Sequence, residues 1–119
     1  MLPTLPAQIG FLTGGRRENI YKSLVIMTPE QIDRCLRSIG KAKFIIYYER
    51  FRDLSLHEMQ DLLEHREGLS RDGSRIRYTY AQSIFRSKAD LEEALRMITT
   101  ARIDSSLRQK ARRILEELE

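Results

Sequence analysis

The residues whose types and spacing come closest to a catalytic or metal-binding motif are His57, Glu58, Asp61 and His65, within SLHEMQDLLEHRE. A zinc-protease helix presents two histidines one turn apart, with a glutamate beside the first as general base. Here Asp61 stands where the second histidine would be, and His65, the chain's other histidine, lies one turn further on. Nothing in the sequence marks a further ligand. The row reads as a solvated polar helix face, and no metal site is expected.

Other chemistries fare no better. Gly14-Gly15-Arg16-Arg17 lacks the spacing and the closing Lys-Ser/Thr with which a phosphate loop holds phosphate and magnesium. The single cysteine, Cys35, rules out an intrachain disulfide, and its spacing places it beside Ile32, Leu36 and Ile39 as a buried, inert thiol. No pair of carboxylates is marked as sharing an apolar pocket that would drive their pKa values apart. The expectation is a protein that is not an enzyme, with no cofactor and no small-molecule substrate.

Residues 69–88, LSRDGSRIRYTYAQSIFRSK, carry a sharper signal. Five cations stand against one acid, so this stretch alone holds a net +4, equal to the charge of the whole 119-residue chain. Tyr78, Tyr80 and Phe85 are interleaved with the cations. On a helix, Arg75, Thr79, Gln82 and Arg86 fall within a narrow arc opposite Ile76, Tyr80, Ala81 and Ile84. Arginine pairs with guanine and glutamine with adenine, so these types can reach base edges, while Arg71, Arg77 and Lys88 would hold phosphates. With a supporting helix over residues 55–66 and a reader over 74–87, the arrangement is a distant analogue of a helix-turn-helix. Three features oppose it: a seven-residue connection over 67–73, where three or four residues are usual, an acidic supporting face of Glu58, Asp61 and Glu64, and the pairing of the surplus cations with that same face inside the fold. Residues 102–113 form a second basic block, also net +4, on the last helix. The competing expectation is a protein-interaction module or homodimer that uses exposed tyrosines and arginines.

These residues need elements to hold them. Thr28-Pro29-Glu30-Gln31 is a capping box with proline at the first helical position, and Gly40 is a natural stop. Phe44, Tyr47, Tyr48 and Phe51 recur at helical spacing, although the FIIYY run also reads as a strand. Ser55 to Glu58 is a second capping box, for a helix with Leu56, Met59, Leu62 and Leu63 inward. Ser87 with Asp90, and then Asp104, open two more helices joined by a link near residues 100–103. Leu91, Ala94, Leu95 and Ile98 face inward on the first, and Leu107, Ala111, Ile114, Leu115 and Leu118 on the second.

The predicted fold is therefore all-α, with five or six short helices around one core and a C-terminal helical hairpin. The alternative is α+β, with a small sheet from residues 20–27, 44–48 and 75–80. Residues 1–19, punctuated by two prolines and three glycines, read as an irregular arm ahead of one helical domain over 20–119. The apolar fraction of 41% and charged fraction of 32% are those of a globular protein. No run approaches a membrane span and the N-terminus lacks a basic leader, so the expectation is a cytoplasmic protein with no membrane role. A small binding protein is expected, acting on nucleic acid or as a regulatory factor, or else on protein partners alone.

Overall fold

The computed structural model describes residues 26–119, which form seven α-helices and no strand. The expected all-α fold is what is found. The sheet alternative fails at residues 44–48 and 75–80, both helical, while the arm over 1–19 and residues 20–25 lie outside the described residues.

Helix α1 (Pro29–Ile39) opens on the Thr28 capping box, with the Thr28 hydroxyl accepting from the Gln31 N–H and the Gln31 side chain accepting from the Thr28 N–H. It buries Ile32, Cys35, Leu36 and Ile39 and stops at Gly40, whose φ of 95° favours glycine. The next stretch is helical but divided into α2 (Lys41–Ile46) and α3 (Tyr48–Asp53), with Tyr47 at φ −105° and ψ 22° between them. That division, which no glycine or proline marks, is why the count is seven. Phe44 is the hub of an aromatic cluster: its ring centroid lies 5.9 Å from Tyr48, 6.2 Å from Phe51 and 5.7 Å from Phe85. Tyr47 and Tyr48 are thus core residues.

Helix α4 (Leu56–Glu67) starts on the Ser55 capping box and ends at Gly68, in the left-handed region at φ 67°. Met59, Gln60 and Leu63 are its buried residues, with Leu62 half-buried at the core's edge. Helix α5 (Arg71–Phe85) follows and packs against α1, α3, α4 and α6. Helices α6 (Lys88–Thr99) and α7 (Ser105–Leu118) form the expected hairpin. Leu91, Ala94, Leu95 and Ile98 are buried on α6, and Ala111 and Ile114 on α7. Leu107, Leu115 and Leu118 pack half-buried around them. Asp104 occupies the cap position of α7, but its carboxylate accepts from the Ser106 hydroxyl and makes no bond to the helix backbone.

Candidate nucleic-acid interface

Helix α5 begins at Arg71, three residues before the start expected from sequence. Asp72-Gly73 looks like a turn, but Ser70 caps the helix there: its hydroxyl accepts from the Gly73 N–H at 2.9 Å. Ser74, fully buried, donates to the Ser70 carbonyl at 2.8 Å and closes the first turn. The connection from α4 is therefore residues 68–70, three long, and not the seven expected. Gly68 supplies its positive φ, and Leu69 packs against the core.

The register of α5 also differs from expectation. Its buried positions are Ser74, Ala81 and Ile84, flanked by Tyr78 and Phe85. Ile76, expected inward, stays 42% exposed, and Tyr80 is half-buried. Two side chains from the core side of α5 satisfy backbone carbonyls at the end of α3 that the helix itself leaves unpaired. Gln82 Nε2 donates to the Phe51 carbonyl at 2.7 Å, and the Tyr78 hydroxyl donates to the Leu54 carbonyl at 3.1 Å.

The seven residues expected to touch nucleic acid therefore separate. Arg75 and Thr79 lie exposed on the outer face of α5, Arg86 is exposed at its C-cap, and Lys88 is exposed at the start of α6. Arg75 sits 3.7 Å from Asp72, an open surface pair worth little. The Thr79 hydroxyl donates back to the Arg75 carbonyl at 2.9 Å, so toward solvent it offers its methyl group and its acceptor lone pairs. Arg86 and Lys88 have no acidic partner among the described residues.

Gln82, Arg77 and Arg71 are committed elsewhere. Gln82 holds the Phe51 carbonyl. Arg77 is half-buried and folds back on the Gly73 carbonyl at 3.1 Å. Arg71 bridges to α4, with one guanidinium nitrogen 2.8 Å from Asp61 and 3.1 Å from Glu64. The same guanidinium lies 3.5 Å from His57 Nδ1. A fixed cation thus occupies the polar row that carries the metal-like spacing, and it offsets the acidity that opposed a supporting role for α4.

Sequence reasoning missed Arg34 and Ile76. Arg34, exposed on α1, lines a hollow of about 320 Å³ with Met27, Gln31, Cys35, Tyr80 and Ser83. Arg75, Ile76, Thr79 and Tyr80 line a neighbouring hollow of about 330 Å³. Contact between α1 and α5 forms the first, which no spacing within one helix signals, whereas the second is lined by α5 residues alone.

The second basic block is dispersed. Lys110 reaches Glu49 of α3 at 3.1 Å, and Arg108 donates to the Ala101 and Ile103 carbonyls of the hairpin link. Arg112 and Arg113 are exposed and do not form the i, i+4 pairs with Glu116 and Glu117 that their spacing allows. Cys35 is buried, its Sγ 4.0 Å from the Met27 sulfur, and burial pushes its thiol pKa up, as befits an inert residue. No helix among the described residues is long and apolar enough to cross a membrane. No family model, curated protein or solved structure matches the chain.

Proposed function

We propose that this chain binds duplex DNA, with α4 as the supporting helix and the outer face of α5 as the reader. The observation that carries the reading is the three-residue, glycine-containing connection between two packed helices, the second of which turns Arg75, Thr79 and Arg86 to solvent. In this reading Arg75 and Thr79 reach base edges in the major groove, and exposed Ile76 between them offers an apolar contact for a thymine methyl. Arg86 and Lys88 meet phosphates at the far end of the helix. Gln82 does not read bases, and Arg71 sets the α4–α5 contact.

A second reading, a protein-interaction module, draws on the apolar hollow beside Ile76 and Tyr80. The two separate in one titration. Binding of a random-sequence duplex, followed by fluorescence anisotropy against salt, should weaken steeply as salt rises. Arg86→Ala and Lys88→Ala should each reduce the slope of log K against log salt by about one. Arg112→Ala with Arg113→Ala should leave both slope and affinity unchanged. Absence of binding at ~50 mM salt removes the DNA reading.

A further inference from the structure

We infer that α1 is part of the DNA interface, with Arg34 holding a phosphate on the side of α5 away from α4. The inference rests on the DNA reading and adds to it a contact from another helix.

A helix about 10–12 Å across fills a major groove about 12 Å wide, so phosphates line both of its flanks. Helices α4 and α1 both pack on α5. Arg71 of α5 reaches Asp61 and Glu64 of α4, whereas Tyr80 shares a hollow with Met27, Gln31, Arg34 and Cys35. Arg71 and Tyr80 are nine residues apart, about two and a half turns of helix, and so point to opposite flanks. The supporting helix therefore meets one row of phosphates, and α1 faces the other.

The hollow beside Arg34 reaches the reading face. Ser83, in its wall, stands one turn beyond Thr79, and its hydroxyl donates to the Thr79 carbonyl at 3.1 Å. Tyr80 lines this hollow and also the one formed with Arg75, Ile76 and Thr79. Arg34 is exposed and has no ion pair among the described residues, although Glu30 stands at the i, i+4 spacing that allows one. Arg37, the other arginine of α1, is committed: its Nε lies 3.0 Å from Asp33, which Lys41 also approaches at 3.4 Å. A guanidinium with its fork of N–H donors uncommitted is the group best suited to grip a phosphate.

The test is titration of the full chain with a random-sequence duplex, followed by fluorescence anisotropy against salt. Arg34→Gln should reduce the slope of log K against log salt by about one and weaken binding of every duplex sequence alike. Arg34→Lys, which keeps the charge, should retain the slope. Arg37→Gln removes an equal charge from the same helix and should leave the slope unchanged. The inference is overturned if Arg34→Gln keeps the wild-type slope while Arg86→Ala lowers it, or if Arg37→Gln lowers the slope as much as Arg34→Gln does. Either result leaves the DNA reading standing, whereas absence of wild-type binding at ~50 mM salt removes both.

Discussion

Gln82 shows how a residue's job is set by a group far along the chain. Its wheel position lies at the boundary between the inner and outer faces of α5, so residue type alone made it a base reader. What decides is the Phe51 carbonyl, left unpaired at the end of α3, thirty-one residues away. That need exists only after α3 and α5 have packed, which is why it is not legible in the sequence. Gln82→Ala should cost about 1–2 kcal/mol by stranding that carbonyl. Calorimetry would register a fall in Tm of about 4–8 °C per kcal/mol for a domain of this size.

Tyr47 and Glu67 make a similar nonlocal pair, with the phenol donating to the carboxylate at 2.6 Å and Lys43 3.6 Å from its other oxygen. The Tyr47 bond, with Lys43 behind it, lowers the Glu67 pKa below 4.5, and the same bond with burial raises that of Tyr47 above 10. A lowered carboxylate pKa contributes stability above its unfolded value and loses it as pH falls through the folded one. A raised phenol pKa contributes below its unfolded value and loses it as pH rises through the folded one. Tyr47→Phe should therefore cost about 1 kcal/mol at neutral pH, as this partly exposed bond is lost. In urea titrations the difference from wild type should shrink as pH falls through the lowered pKa of Glu67, where its carboxylate is protonated in the folded state too.

At the scale of the element, the helix starts that satisfy a full reciprocal motif were legible. Thr28 with Gln31 and Ser55 with Glu58 place α1 and α4 as expected. Ser70 escaped because its third position is Gly73, which has no side chain to complete a capping box and, with Asp72, resembles a turn. Packing of the buried Ser74 and the hydroxyl cap outweigh the poor helical propensity of that glycine. The consequence reaches the candidate site, because those three extra residues shorten the connection to the length a helix-turn-helix requires. Ser70→Ala should cost about 1 kcal/mol. Amide hydrogen exchange should speed up at residues 71–74 and not at Ala81 or Ile84, while equal acceleration throughout α5 would rule out a local capping role.

For the whole molecule, hydrophobic periodicity is enough to read the fold class and the α6–α7 hairpin, since Leu91, Ala94, Leu95 and Ile98 repeat at the helical interval and are all buried. The aromatic residues were harder to place. FIIYY has the composition of a strand, and only the convergence of Phe44, Tyr48, Phe51 and Phe85 makes it two helical pieces on one cluster. The basic surface was legible as charge but not as geometry: of seven candidates, Arg75, Thr79, Arg86 and Lys88 remain available, because Arg71, Arg77 and Gln82 serve contacts within the fold. Ile84, fully buried where α5 meets its neighbours, offers a test of the common core. Ile84→Ala should destabilise by about 2–5 kcal/mol, read as a lower urea midpoint with an unchanged m-value.

The central position of α5 among α1, α3, α4 and α6 bears on how the chain can come apart. The α6–α7 hairpin uses neighbours in sequence and closes at small entropic expense, whereas α1 meets α5 only after some thirty intervening residues are arranged. Loss of α5 would uncover the faces of α1, α3, α4 and α6 that pack against it. The amides at Ala81 and Ile84 should then exchange only through complete unfolding, with the same urea dependence as the global transition. A DNA-reading face carried on such a helix would be as rigid as the protein is stable.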